Sequence, residues 1–568
     1  MKRWMYCVLS LVLLVTRPSN AISPASVGDK HHGLFSDHSQ ISSNDDGCTR
    51  ATTPTSRIED ALRVMQDEYF EIWIGSWPTA IDWTAAVVNT IVTSTLTTFS
   101  EYVHHVWRTN TLDQSETSRI EDQINLYFAH NSAFYFAENA FNIRNEAYDD
   151  MLWVVLGWLE SVKFLNEYSE LRKVRLGTRC AWHGSQYIAA FSHRARIFYD
   201  IASKGWDTKL CGGGMTWNPH LIPYKNAITN HLFISASISM YLHFPGDDNR
   251  SPYMANRDEV SEPYRAHPHD KRHLNAATDG YEWLKNSNMT NELGLYVDGF
   301  HVTDWSRKNT TGTGKCDERN EMVFTYNQGV ILSGLRGLWD ATGEVRYLKD
   351  GHKQVRNVMN ATGWRGSDQA TIIAKDTRWQ GLGRSGILED YCDHKGECSQ
   401  DSQTFKGIFF NHLVQFCRPL NQRFAGHDLA SLHRQSCLAY GAWAEYNAHG
   451  AMRNRDSKGR FGSFWGDLSA DLDPVGLPVG AVDYRNDKTI LESVAWNEPS
   501  MSRESSVFTQ IERESQPVNS ARSSRHDTAQ SVGVSDAQDI NDRGRGRTVE
   551  TQASGLSVLR AAWELTRL

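Results

Sequence analysis

Two adjacent carboxylates, Asp149 and Asp150, are the residues of this chain best suited to chemistry. They open the run from Tyr148 to Glu160, whose other positions are mostly apolar or aromatic. Cleavage of a glycosidic bond needs one carboxyl group to protonate the leaving oxygen and a second to attack the anomeric carbon or to activate water. The pair is therefore a candidate for glycoside chemistry.

Helix capping explains two acids at this place equally simply. Acidic side chains near a helix N-terminus complement the helix dipole, which stabilises the helix by about 0.3 to 1 kcal/mol. The apolar positions that follow, from Met151 to Leu159, are too dense for a surface helix and predict one that is buried nearly all round. In such surroundings, repulsion between the acids and desolvation by Trp153 or Trp158 would raise the pKa of one acid.

The adjacency of the two acids also bears on the stereochemistry. Retaining glycosidases hold their two carboxyl groups roughly 5 to 5.5 Å apart, whereas inverting enzymes leave about 6.5 to 9.5 Å for a water molecule. Neighbouring residues have Cα atoms about 3.8 Å apart, so the shorter carboxyl spacing is easily reached. The pair therefore favours retention.

The amino-acid composition limits the kinds of molecule that the protein is expected to bind. The chain has 568 residues and a net charge of -8 without long basic runs, which gives no electrostatic footprint for nucleic acid. Aromatic residues make up 11% of the chain and include 19 tryptophans. Stacking on the apolar faces of sugars is one use for them, and a large helical core is the other. We expect a neutral substrate and a monomeric protein.

The N-terminus predicts export from the cell. Lys2 and Arg3 precede a short apolar stretch, and the small-residue pattern that ends at Ala21 predicts a signal peptide over residues 1–21. Eight cysteines remain after its removal, an even number that favours disulfides, and Cys392 and Cys398 are close enough in sequence to be proposed as a pair. Glycosylation sequons occur at Asn249, Asn288, Asn309 and Asn360.

These features indicate a secreted glycoprotein, either extracellular or associated with the cell wall. No second stretch of about 18 apolar residues follows the signal, and the C-terminus has no hydrophobic tail, so we expect no transmembrane or lipid-anchored form.

Helical periodicity recurs twelve times along the chain. We predict a disordered lead over residues 22–55 and a single catalytic domain over 56–568, with a disordered polar insertion at about 500–547 before the last helix. Twelve helices with few convincing strands predict an all-α fold, an (α/α)6 barrel of six inner and six outer helices; an open helical solenoid would give the same count. Long connections, including 450–500, are the natural place for a binding groove.

Several polar segments could complete a sugar site. Three glycines after Cys211 precede Trp217, which lets backbone and an indole ring approach a ligand closely. Turns and helix caps are the alternative explanation for all these segments. The predicted substrate-binding residues are Asn145, Trp153, Trp217, Lys225, Asn226, Asn230, Asp298, Tyr326, Asn327, Gln328 and Lys406.

The order of these motifs resembles glycoside hydrolase family 76, the family of endo-alpha-1,6-mannanases, which also contains fungal cell-wall proteins considered to be transglycosidases. The resemblance covers about residues 57 to 500 and resumes in the final helix. It rests on Ala147-Tyr-Asp-Asp-Met-Leu-Trp153, Cys211-Gly-Gly-Gly214 with Trp217, Tyr224-Lys-Asn-Ala-Ile-Thr-Asn230, Thr325-Tyr-Asn-Gln-Gly329, Phe405-Lys-Gly407 and Gln552-Ala-Ser554.

The resemblance implies an (α/α)6 barrel and a retaining mechanism, with Asp149 as the nucleophile, Asp150 as the general acid/base and Asp298 near the catalytic subsite. The expected function is endo-hydrolysis of alpha-1,6-mannan or a mannoprotein glycan. Transglycosylation of mannan or of a glycolipid-anchor glycan is the alternative in chemistry, and a catalytically inactive carbohydrate-binding wall protein is the alternative of another class. The histidines lack metal-ligand spacing, so we expect no metal and no cofactor.

Overall fold

A computed structural model describes residues 55–110, 114–249, 266–366, 377–470, 472–473, 475–486 and 539–568. The predicted signal peptide, nearly all of the predicted lead and most of the predicted insertion lie outside these residues. Of the insertion, residues 539–547 are described, and Ile540–Asp542 forms a 3-10 helix.

Twelve long helices dominate the described part of the chain. They are α1 (Ser56–Tyr69), α2 (Asp82–Thr109), α3 (Gln114–Ala137), α4 (Tyr148–Leu176), α5 (Ile188–Ala202), α6 (Ala227–His243), α7 (Lys271–Asn286), α8 (Thr325–Thr342), α9 (Val345–Ala361), α10 (Phe405–Cys417), α11 (Gln422–Arg453) and α12 (Val549–Leu565). Shorter helical segments are Ala140–Arg144, His183–Tyr187, Ser203–Gly205, Asp393–Lys395 and Gln400–Gln403. Helix α11 is interrupted at Gly426, where the backbone is not helical.

The even-numbered helices form a closed inner ring. Each of α2, α4, α6, α8, α10 and α12 packs against the next, and α12 packs against α2 to close the circle. Helices α3, α5, α7 and α9 pack outside α2, α4, α6 and α8, while α1 and α11 pack against α12. The prediction of an (α/α)6 barrel is confirmed, and the open solenoid is wrong because the two ends of the ring meet.

The inner and outer helices differ in how much of their surface is buried. In α2 nearly every position from Trp83 to Val106 is buried, since the helix has neighbours on all sides. Outer helix α9 instead buries a single stripe that includes Tyr347, Leu348 and Val355. Glycine allows the inner helices to approach closely: a Cβ at Gly407 of α10 would lie 2.6 Å from the Cα of Ser554 in α12.

Short strands within the connections between helices pair with one another. Strands β1 (Tyr224–Asn226), β2 (Gly299–His301) and β3 (Glu318–Asn320) form an antiparallel sheet in that order, and β4 (Gly383–Arg384) pairs with β5 (Ile387–Leu388). The sequence shows helical periodicity from residue 224, which predicts a helix that starts there, but α6 begins at Ala227 because the three residues before it pair with β2.

Disulfides tie these connections down. The predicted Cys392–Cys398 bridge is present, together with Cys211–Cys316 and Cys417–Cys437. In the described residues, no helix has the length and apolar character needed to cross a membrane.

Candidate active site

The two acids lie at the N-terminus of inner helix α4. Ala147 is the N-cap residue, and its backbone N–H donates to Oδ2 of Asp150 over 3.2 Å. Asp150 therefore caps the helix, as the simpler interpretation of the sequence expected. The Oδ2 of Asp149 accepts a hydrogen bond of 3.1 Å from the indole Nε1 of Trp217.

Asp149 keeps one oxygen unengaged. The side chain is buried, and Oδ1 has no hydrogen-bond partner among the described residues. A buried carboxylate oxygen without a partner is costly, so such atoms usually mark a site that is completed by a ligand or by water. The carboxylate is thus fixed through Oδ2 while Oδ1 remains available.

Arg485 supplies the positive charge of the site, and sequence reasoning missed it. Its guanidinium lies 3.7 Å from Oδ2 of Asp149, donates to the hydroxyl of Tyr326 over 3.4 Å and lies over the Trp217 ring at 5.3 Å. It belongs to the connection 450–500, which the sequence identified as a possible groove. Its position in this connection was the only feature of the sequence that pointed to Arg485, because no local motif surrounds the residue.

Burial and charge give the two acids different proton affinities. Burial raises the pKa of Asp149 to about 6, and Arg485 opposes that rise. Burial raises the pKa of Asp150 well above its usual value, and the charges of Asp149 and Glu146 raise it further. Asp149 is therefore the first of the pair to lose its proton.

Glu146 is a third acid that the sequence analysis did not single out. Its side chain is hydrogen-bonded to that of Asp150, and burial raises the pKa of Glu146 as well. The charges of Asp82 and Asp401 add to this rise. A cluster of carboxylates thus keeps a proton in the vicinity of Asp150.

Asp298 lies in a buried polar network. The Tyr224 hydroxyl donates to its Oδ2 over 2.6 Å, and the side-chain amides of Asn320 and Asn327 lie 3.4 and 3.5 Å from its carboxylate oxygens. Burial raises the pKa of Asp298, while Tyr224 and Arg485 oppose the rise. The side-chain oxygen of Asn327, Oδ1, is buried without a partner among the described residues. This network borders the acid pair through Arg485.

The glycine segment positions Trp217. The Lys225 ammonium donates to the Gly214 carbonyl over 2.6 Å, and Asn230 bonds both the N–H and the carbonyl of Met215. Burial lowers the pKa of Lys225 to about 8. These polar groups hold the loop that presents the indole, and their predicted contact with sugar hydroxyls stays a prediction.

Asn226 is also engaged within the protein. Its side chain accepts from the Thr229 N–H and caps α6. Gln328 bonds the backbone of Tyr296 at both its N–H and its carbonyl.

Of the remaining predicted residues, some lie near the acid pair and others lie within the helical scaffold. Tyr326 is buried, stacks on Phe405 with ring centroids 3.8 Å apart and meets Arg485. Trp153 lies one turn below the acids and stacks on a second indole, that of Trp83, at 5.8 Å. Asn145 is exposed beside Glu146.

Lys406, a predicted sugar contact, instead binds groups of the protein itself. Its ammonium donates to Asp393 over 2.6 Å and to the carbonyl of Ser463, and it lies over the Trp465 ring.

Two groups of described side chains have a geometry suited to a metal ion: His352, His433 and Cys437, and Cys392, Asp393 and Cys398. All three cysteines are in disulfides, so their sulfurs are not free to ligate.

Comparison with known proteins gives one family. Residues 264–464 match the model of glycosyl hydrolase family 76. The chain is 26% identical over 227 residues to mannan endo-1,6-alpha-mannosidase DFG5 of Saccharomyces cerevisiae, and 23% identical over 228 residues to the DCW1 enzyme of the same name and organism. The matches span 38% and 39% of this chain, and only 37% and 38% of the two yeast proteins.

Two solved structures are similar over most of the chain. The GH76A alpha-1,6-mannanase from Salegentibacter sp. is 18% identical with a TM-score of 0.45, covering 90% of this chain and 100% of that one. An inactive variant of the same enzyme, in complex with alpha-1,6-mannotriose, is 17% identical with a TM-score of 0.49 and the same coverage. Over residues 264–464 the chain is therefore similar to glycosyl hydrolase family 76.

Proposed function

We propose that this protein is a retaining glycoside hydrolase that cleaves internal alpha-1,6-mannosidic linkages. The observation that carries the proposal is the asymmetry of the acid pair. Oδ2 of Asp149 is held by Trp217 and faces Arg485 while Oδ1 is free, and Asp150 lies beside it with a strongly raised pKa. One ionised carboxylate next to one protonated carboxyl is what double displacement requires.

In the first step, Oδ1 of Asp149 attacks the anomeric carbon as the bond to the leaving sugar breaks. Asp150 gives its proton to the leaving oxygen, so the leaving sugar departs as an alcohol and a mannosyl ester of Asp149 remains. In the second step, Asp150 takes a proton from water, whose oxygen attacks the anomeric carbon and releases Asp149. The raised pKa of Asp150 suits a group that donates and then accepts a proton near neutral pH.

The match to the model of glycosyl hydrolase family 76 and the names of the yeast relatives support the choice of alpha-1,6-mannan as substrate. The half-buried Trp217 adds an aromatic surface beside the acids, which suits stacking on a sugar ring. We further propose that the protein acts outside the cell as a single barrel domain; the predicted signal peptide and the disulfides support this.

Incubation of the protein with linear alpha-1,6-mannan tests the proposal through its products. Short oligomers support hydrolysis, longer or rearranged chains indicate transfer to a sugar acceptor, and unchanged mannan contradicts enzymatic activity. Asp149→Ala and Asp150→Ala should each lower kcat by at least a thousandfold, whereas Asp428→Ala, an exposed acid on α11, should leave it unchanged. Full activity in both active-site variants would disprove the assignment.

Proton NMR of the first-formed product tests the stereochemistry. Two inversions at the anomeric carbon return the alpha configuration, so the alpha anomer should appear before mutarotation. A beta anomer released first would instead require direct attack by water.

A further inference from the structure

An exposed apolar surface lies at the same end of the barrel as the acid pair. It consists of Ile72, Trp73, Ile74, Phe136 and Phe141, which we call the rim patch. Trp73 is 87% exposed, Phe136 76% and Phe141 67%, and the two isoleucines are about half exposed. Gly75, two residues after Trp73, packs against Ala133 and Ala137 of α3, which brings the Trp73 turn next to Phe136.

The loop that carries Trp73 is held firmly by its own backbone. The Glu71 N–H donates to the Ser76 carbonyl over 3.0 Å, and the Glu71 carbonyl accepts from Ile74 and Gly75. Gly75 has φ +72° and packs so closely on α3 that an added Cβ would lie 2.9 Å from the Ala133 carbonyl oxygen. The indole is therefore presented by a fixed turn rather than left exposed by a loose one.

A chain of contacts places the patch beside the acids. The loop leads directly into Asp82 at the start of α2, and the carboxylate of Asp82 is hydrogen-bonded to the side chain of Asn142. Asn142 follows Phe141 in the chain. Asp82 in turn lies close enough to Glu146 for its charge to raise the pKa of that acid, and Glu146 bonds Asp150.

The chemistry of the patch matches a lipid surface better than a glycan or a protein. The indole is flanked on both sides by isoleucines, so its immediate neighbours bring no donor or acceptor for sugar hydroxyls. A stable protein interface buries roughly 800 Å² on each partner and surrounds its apolar core with a polar rim. Tryptophan at the tip of a short apolar turn is typical of the membrane interface, where a few inserted side chains suffice.

We propose that the rim patch docks the protein on a zwitterionic lipid surface and so turns the acid pair towards that surface. The residues that precede Trp73 in the chain include the exposed acids Glu68 and Glu71. Their negative charge opposes anionic headgroups, which argues for a neutral headgroup layer.

Flotation of the full-length protein with phosphatidylcholine vesicles tests the docking directly. The wild type should float with the vesicles, and Trp73→Ser should lower the partition coefficient by about tenfold or more, because binding scales with the apolar area inserted. Phe424→Ser is the matched control: Phe424 is 84% exposed but lies at the start of α11, at the opposite end of the barrel. It should leave the partition unchanged.

Vesicle binding needs no catalysis, so it succeeds or fails independently of the proposed function. The inference is overturned if the wild type does not float, or if Trp73→Ser floats equally well. It is also overturned if Trp73→Ser raises KM for soluble mannan without affecting flotation, since the patch would then bind glycan. A wild-type dimer that Trp73→Ser converts to monomer would assign the patch to self-association instead.

Discussion

Replacement of Arg485 by methionine should move the acidic limb of the pH profile to higher pH. The guanidinium lies 3.7 Å from the Asp149 carboxylate. With an effective dielectric constant of about 20, that separation corresponds to an attraction of about 4.5 kcal/mol, and neighbouring cations lower the pKa of a carboxylate by about 1 to 3 units in practice. Loss of the cation disfavours ionised Asp149, so its pKa should rise from about 6 by that amount.

Initial rates of alpha-1,6-mannan hydrolysis from pH 4 to 9 measure this shift, because the proposed attack by Asp149 requires its ionised carboxylate. At pH 6 the variant should be about five- to five-hundredfold slower than the wild type, and the deficit should shrink as the pH rises. Arg485→Lys keeps the charge and should restore part of the profile. An acidic limb that stays in place in Arg485→Met, with the fold intact by circular dichroism, would refute the electrostatic role.

Three further changes probe the surroundings of the pair. Glu146→Gln removes a negative charge and a hydrogen-bond partner from Asp150, so the pKa of Asp150 should fall and the basic limb of the rate profile should move to lower pH; an unmoved basic limb contradicts this. Trp217→Phe removes the indole N–H that holds Asp149, the proposed nucleophile, which should lower kcat by about ten- to a hundredfold with little change in KM; a change in KM alone would assign the ring to substrate binding. Gly407→Ala should destabilise the barrel by about 1 to 3 kcal/mol in urea unfolding, because the methyl group meets backbone, whereas Gly476→Ala has open space and should be neutral; equal midpoints would contradict the packing argument.

The helical architecture was predictable because its signal is local. The dense apolar run from Met151 to Leu159 indicated a buried helix, and recurring periodicity indicated twelve helices, without knowledge of which helix contacts which. Helix ends were less predictable. The helix after Tyr224 starts three residues later than its periodicity suggested, because those residues pair with a strand more than seventy positions away.

The candidate site was predictable in its acids but not in their surroundings. Asp149 and Asp150 stand out as a pair, whereas Arg485 reaches them from a connection without periodicity. Lys225 shows a second limit of prediction from sequence: a residue of a suitable type can bind the protein instead of a ligand. Its residue type suits a sugar hydroxyl, yet its ammonium binds the Gly214 carbonyl, and sequence alone does not state which acceptor a buried donor will meet.

The closure of the inner ring by α2 and α12 makes the barrel a strongly non-local structure. The Thr84 hydroxyl donates to Glu550, 466 positions later in the chain. Contacts of such sequence separation repay the entropy of loop closure only when the whole chain is present, so topologies rich in them fold slowly. During synthesis the last inner helix leaves the ribosome after all the others, and the acid pair reaches its enclosed environment only when that helix docks.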